Sequence, residues 1–191
     1  MNRLTIRYDE SAESPRQHDC NLGTLACSHK NYNMSDKDVS IEDAPSQDDD
    51  DYVVLPVYMY EHSGRTISTS PFSCSFDSGQ IGWIWCSFEN AKTHLMNPDV
   101  TYDRIVECLK NEIESYDIFI RGDVFGFVLE ESTTCGDCNH TEWEVTDSCW
   151  GFFGDNHTDN GMVDCLPEEA HEALSVIEVD SPILIGLLVG C

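Results

Sequence analysis

Two cysteines three positions apart and a histidine two further on, in Cys135-Gly-Asp-Cys138-Asn-His140, make the most specific chemical pattern in the chain. Thiolate sulfur and imidazole nitrogen are donors that zinc prefers, and this trio would supply three of its usual four ligands. Cys149 or His157 would supply the fourth. The competing reading is a polar hairpin tip that happens to carry two thiols, because only one CxxC is present. A redox role would need a strand-then-helix setting, which the flanking residues do not provide. Cys20, Cys27 and His29 form a second, looser group whose spacing matches no zinc finger.

Nucleophilic catalysis needs a serine or cysteine activated by a positioned base. Ser78, in Asp77-Ser78-Gly79, and Cys149, in Ser148-Cys149-Trp150-Gly151, are the two candidates. Neither sits in a G-x-S-x-G elbow. Ser78 reads as a turn residue and Cys149 as a strand residue packed beside Trp150, so the sequence points away from an enzyme. There is no Walker loop, dinucleotide fingerprint or HExxH motif. Asp48-Asp49-Asp50-Asp51 lacks the spaced ligands of an EF-hand and reads as a solvated run. Trp83, Trp85, Trp143 and Trp150 fall in strand-like stretches, where aromatic residues more often form core than a binding face.

The elements that must carry these residues follow from periodicity. Residues 4–8 alternate as a strand, 9–24 read as a loop and 25–27 as a short buried segment. Residues 33–51 have little to bury and read as a flexible acidic arm. A strand is expected over 53–60, with Pro56 favouring an edge or a bulge. A tight turn at 62–65 and a strand at 66–69 follow. A central strand is expected at 81–88, after a turn at 77–80. The best helix covers 101–120: Thr101 caps it, Asp103 suits its first turn, and Ile105, Leu109, Ile113 and Tyr116 line one face. Residues 122–130 and 142–153 read as an antiparallel pair, and 167–174 as a short helix opened by Pro167. The run 183–189 is too short to span a bilayer and reads as a last, buried strand. The expectation is one α+β domain over 1–191, a mostly antiparallel sheet packed on one long helix and a short C-terminal helix.

Charge narrows the function. Among 191 residues, thirty-six Asp and Glu face ten Lys and Arg, for a formal net charge of -26. Such a surface repels a nucleic-acid backbone, whose binding requires basic groups to displace counterions. Three uses of the acidity remain open: solubility or adaptation to salt, imitation of DNA by carboxylates, and cation binding. An apolar fraction of 40% is enough for a core. Ten cysteines are many, yet the first residues show no apolar leader, so most are expected as small core residues rather than a disulfide framework.

Several stretches resemble a family of small proteins of unknown function encoded by phages, archaeal viruses and plasmids. They are Ile6-Arg-Tyr-Asp-Glu-Ser-Ala-Glu-Ser-Pro-Arg16, Asn21-Leu-Gly-Thr-Leu-Ala-Cys27, Tyr58-Met-Tyr-Glu-His-Ser-Gly64, residues 69–83, Glu114-Ser-Tyr-Asp117, Gly122-Asp-Val-Phe-Gly126 and Asp147-Ser-Cys-Trp-Gly-Phe-Phe-Gly154. The segment from Pro71 to Trp83 is the most distinctive, and the blocks together span most of the chain. The sequence departs from the family where Cys135 to His140 widens a hairpin tip. The resemblance implies a mobile-element setting and names no activity.

Charge and resemblance together lead to the expectation of an acidic accessory protein of a virus or mobile element, acting in the host cytoplasm. It would inhibit a host nucleic-acid-targeting defence, such as a CRISPR effector or a restriction enzyme, by DNA mimicry or direct protein binding. Its partner would be a basic host protein or nucleoprotein complex, with neither free nucleic acid nor membrane as a direct partner. The carboxylates expected to make that contact are Asp48, Asp49, Asp50, Asp51, Asp103, Glu107 and Glu114. Two alternatives stand beside it. One is a salt-adapted structural or assembly protein of a virion. The other is a small zinc-binding regulator using Cys135, Cys138, His140 and Cys149.

Overall fold

The computed structural model describes residues 2–62, 64–135, 140–168, 170–171 and 184–188. Strands β1 (Asn2–Tyr8), β2 (Thr24–Cys27), β3 (Tyr52–His62), β4 (Gly64–Ser68), β5 (Ser78–Ser87), β6 (Val124–Thr134), β7 (Thr141–Phe153) and β8 (Leu184–Leu188) are joined by helices α1 (Phe88–His94), α2 (Tyr102–Arg121) and α3 (Met162–Cys165). The fold is α+β, and every pairing among the described strands is antiparallel. Where the sequence suggests one sheet, there are two of four strands each, ordered β7-β6-β1-β8 and β2-β5-β3-β4. They belong to two compact units. A central unit spans Ser14–Arg121, and a terminal unit joins Met1–Glu13 to Gly122–Cys191.

In the central unit α2 lies on one face of its sheet. The predicted stripe of Ile105, Leu109, Ile113 and Tyr116 is buried, in one cluster with Leu25, Val57, Met59, Ile67 and Ile84 from the strands. Burying each such aliphatic side chain contributes roughly 1.5–3 kcal/mol, so the stripe fixes the helix on the sheet. The opposite face packs Ala26, Val54 and Trp85 beneath Val39 and Ala44. Residues 33–51, expected as a flexible arm, are thus tied down at several points. Met34 is buried, and a capping box closes the 3-10 turn Ile41–Asp43, with Ser40 N donating to Asp43 Oδ2 at 2.8 Å.

Pro56 sits where its missing N–H does least harm. β4 pairs with β3 only over Tyr58–His62, and the β3–β5 register shifts between Val57 and Tyr58. Gly82 lets β5 approach β2 closely, since a Cβ there would lie 2.0 Å from the carbonyl oxygen of Ala26. β5 ends at Ser87, one residue before the expected strand end. Ser87 Oγ accepts from Asn90 N at 3.1 Å and starts α1.

In the terminal unit Leu4 and Ile6 of β1 lie opposite Leu129 and Phe127 of β6. They share a core with Phe125, Phe152, Met162, Leu166 and Ala170. The expected last strand is present as β8, paired to β1. Of the helix expected over 167–174, Glu168, Ala170 and His171 are helical, and Glu169 and 172–174 lie outside the described residues. No helix among the described residues is long and apolar enough to cross a membrane.

Candidate acidic binding surface

The helix acids stand where the apolar stripe forces them. Because Ile105, Leu109 and Ile113 face the sheet, Asp103, Glu107 and Glu114 are exposed. Glu107 is partly neutralised by Arg104, whose Nη1 lies 2.6 Å from Glu107 Oε2. Asp48, Asp49, Asp50 and Asp51 are also exposed, in a turn that leads into β3. That turn is organised by local hydrogen bonds: Tyr52 N donates to Asp49 O at 3.1 Å, and Asp51 N to the side-chain Asp49 Oδ1 at 3.0 Å. The helix group runs along the outside of α2, and the turn group sits at the sheet end where β3 begins. Exposed Glu142, Glu144 and Asp147 add a third acidic line, along β7 of the terminal unit.

Of the ten Lys and Arg, Arg7, Lys30, Lys37, Arg65, Lys92 and Lys110 are exposed, while Arg3, Arg16, Arg104 and Arg121 meet carboxylates. Arg16 is the clearest case, with a side chain only 6% exposed. Its Nε donates to Asp36 Oδ1 (2.9 Å) and its Nη2 to Asp36 Oδ2 (2.6 Å) and the Gly23 carbonyl (2.7 Å). Its Nη1 donates to Glu112 Oε2 (2.7 Å) and Asn21 Oδ1 (3.1 Å). All five guanidinium N–H donors are thereby matched. Glu112 also accepts from the amides of Leu22 and Gly23, and Asp36 accepts from Leu25 N at 2.8 Å. This clasp ties the chain before β2 to α2, and its saturation marks it as structural. Arg3 pairs with Glu130 at 2.7 Å, and Arg121 with Asp117 at 3.1 Å. No Lys or Arg follows Arg121 in the sequence.

Of the expected zinc ligands, Cys135 and His140 face each other across the hairpin tip and Cys149 lies away from it. Cys138 lies outside the described residues. Cys135 N donates to His140 O at 2.8 Å across the β6–β7 tip, and the His140 ring sits 3.9 Å from Glu142. Cys149 pairs with Phe127, whereas the tip closes at Thr134 and Thr141. Seven residues of β6 separate those positions, roughly 23 Å at the rise of a strand. Cys149 is therefore not a ligand partner for the tip. Among the described residues no group of three or more His, Cys, Asp or Glu side chains is placed to hold a metal. In the looser group, burial first and then Asp36 push the Cys27 thiol up to about 12, which keeps it protonated and a poor ligand.

Among the described residues neither nucleophile candidate is hydrogen-bonded to a base. Ser78 Oγ donates to the Cys74 carbonyl and serves the turn, as its sequence context suggests. The nearby imidazole of His62 pairs instead with Asp77, at 3.2 Å. Cys149 packs against the core of the terminal unit.

Two arrangements had no sequence signal. His29 stacks on Tyr32 at 5.1 Å, Arg65 lies over the same ring at 4.4 Å, and Tyr32 Oη donates to Glu61 Oε1 at 2.9 Å. Pairing of β3 with β4 sets Glu61 opposite Arg65, and the loop after β2 brings His29 and Tyr32 to them. The second is His157, 6% exposed, edge-on to Phe125 at 5.0 Å. Neither of its ring nitrogens has a hydrogen-bond partner among the described residues.

Compared with protein-family models, curated proteins and solved structures, the chain shows no significant match to any of them.

Proposed function

We propose that this chain is an acidic accessory protein of a virus or mobile element that binds a basic host protein or nucleoprotein complex and so inhibits a nucleic-acid-targeting defence. The observation that supports this reading is the outward placement of carboxylates in a chain with thirty-six acids and ten Lys and Arg. Arg3, Arg16, Arg104 and Arg121 each meet a carboxylate within the chain, while Asp48–Asp51, Asp103 and Glu114 are left outward on ordered elements. A basic channel that holds DNA or a guide–target duplex would attract such a surface by the same long-range field that attracts phosphate.

Capture by the tagged protein from host lysate, at low and high salt and with duplex DNA as competitor, tests the proposal. Nucleic-acid-processing complexes released by both salt and duplex DNA are the expected catch. Lysine substitutions at Asp48–Asp51 together with Asp103, Glu107 and Glu114 should abolish capture. Undiminished capture by that variant would sink the idea.

A second reading, a salt-adapted structural or assembly protein of a virion, has its own support. Exposed acids occur in both units, on α2 and before β3 in the central one and along β7 in the terminal one, instead of on a single element. Unfolding at low salt that is reversed by potassium chloride, together with recovery of the protein in purified particles, would favour it.

A further inference from the structure

We propose that the outer edge of β7 takes up an added strand, an extended segment of a basic protein with Lys or Arg at alternate positions and apolar side chains between them. This rests on the proposed binding of a basic partner and adds the docking mode. β7 ends its sheet, and Glu142 and every residue from Glu144 to Ser148 are exposed. The edges of the central sheet, β2 and β4, are closed by the chain itself. Leu25 N donates to Asp36 Oδ2 at 2.8 Å, Cys27 N to Ser35 Oγ at 2.9 Å, and Ile67 N to Asp117 Oδ1 at 2.7 Å. Among the described residues, no hydrogen bond from outside β6 and β7 reaches a β7 amide, and Ser148 N donates locally to Asp147 Oδ1 at 2.8 Å. Such an open edge is a template for a further strand.

Register decides which chemistry the added strand needs. Thr133 lies opposite Glu142, Glu131 opposite Glu144 and Leu129 opposite Asp147. The register shift between Leu129 and Glu130 inserts Thr146 and returns Asp147 to the face of the two glutamates. Glu131, Glu142, Glu144 and Asp147 therefore share one face of the hairpin. Glu131 and Glu144 are exposed like charges set directly opposite each other, an unfavourable pair that an incoming cation relieves. Beside them the His140 ring lies 3.9 Å from Glu142. Arg3 of β1 serves the other face, paired with Glu130 and over the Trp143 ring at 4.3 Å.

That other face also carries Val145, 56% exposed, so Trp143 and Val145 give the apolar side chains of an added strand a seat. Alternation along a strand then sets every second residue of the partner beside the acids. Main-chain hydrogen bonds along β7 hold the segment, and the carboxylates select its charge. A second copy of β7 would set acid against acid, so the edge fits a basic strand and rejects its own kind.

The test adds a capped peptide of Lys-Val repeats to the purified full-length chain. The expected result is binding that weakens as salt rises, with slower amide hydrogen exchange over residues 141–147 and none of that slowing on α2. The same peptide N-methylated throughout keeps its charge, loses every N–H donor, and should bind about tenfold more weakly. A Glu-Val peptide should not bind. Glu142→Lys combined with Glu144→Lys should weaken the Lys-Val peptide about tenfold and admit the Glu-Val peptide, a gain that an unfolded variant would not show. Equal binding of the methylated peptide, or slowed exchange that spares β7, would overturn the proposal. Absence of Lys-Val binding overturns it even where host capture succeeds, whereas failed host capture with peptide binding intact removes the wider reading alone.

Discussion

Arg16 in the central unit and His157 in the terminal unit are both buried polar side chains, and their surroundings are opposite. Arg16 has five donors and five acceptor atoms, three of them from two carboxylates that are themselves bonded to backbone amides. His157 has two ring nitrogens and no partner for either among the described residues. An unmatched buried polar group costs about 1–3 kcal/mol, whereas a saturated charged network resists the loss of any member. Among the described residues, the contrast is between a saturated polar lock in the central unit and an unmatched imidazole in the terminal one.

The largest expected effect comes from breaking the lock. Arg16→Met keeps the bulk but leaves Asp36 and Glu112 facing each other without a cation. Side chains only 20% and 16% exposed cannot recover their hydration fully, so the loss should be about 3–5 kcal/mol. Urea unfolding followed by the fluorescence of Trp83 and Trp85, with Trp143 and Trp150 replaced by Phe, reads the central unit alone. A change below about 1 kcal/mol would show that the clasp is decoration.

A smaller effect is expected from Glu112→Gln, which keeps the shape and removes the charge. The amide can present its oxygen to Arg16 or to the Leu22 and Gly23 amides, but not to both. The expected loss is about 1–3 kcal/mol in the same urea experiment, and exposed Glu114→Gln serves as a control that should change little.

This lock was invisible in the sequence, and the reason is physical. Arg16, Asp36 and Glu112 are joined across twenty and ninety-six positions, and no periodicity links them. The helix that carries Glu112 was legible because its stripe repeats at three- and four-residue spacing, and all four stripe residues are buried as that spacing requires. β6 and β7 were legible as a pair, and Pro56 announced the bulge beside it. α1 was not foreseen, because Phe88 continues the apolar run of β5 and only the cap at Ser87 marks the change. For the surface, the exposure of Asp103, Glu107 and Glu114 follows from the helical period. Whether they join Asp48–Asp51 depends on which side of the sheet α2 occupies, and local pattern does not encode that. Spacing makes Cys149 a candidate companion of the zinc-like tip, yet strand register carries it far down the hairpin, opposite Phe127.

His157 gives the terminal unit a pH dependence of predictable sign. Burial depresses its folded-state pKa below the usual value near 6.5, with Asp155 opposing the shift. Below that value the unfolded chain takes up a proton that the folded one resists. Stability is therefore fully present above about pH 6.5 and declines as pH falls from there. Melting of the terminal unit, followed by Trp143 and Trp150 in a protein lacking Trp83 and Trp85, should drop between about pH 7 and pH 5. A transition that is flat over that window would show that His157 is matched after all.

The smallest expected effect has the opposite sign to the first. His157→Phe replaces the imidazole with a ring of similar outline that asks for no hydrogen bonds and can keep the edge-on contact with Phe125. Removing an unmatched polar group should stabilise the terminal unit by about 1 kcal/mol at neutral pH, and by more in acid, because the proton uptake of the unfolded chain at this position is gone. The pH slope between about 5 and 7 should flatten in the same variant. If His157→Phe destabilises the unit and leaves the slope intact, the imidazole has a partner that sets its protonation, and the two units are then alike in how they handle buried polar groups.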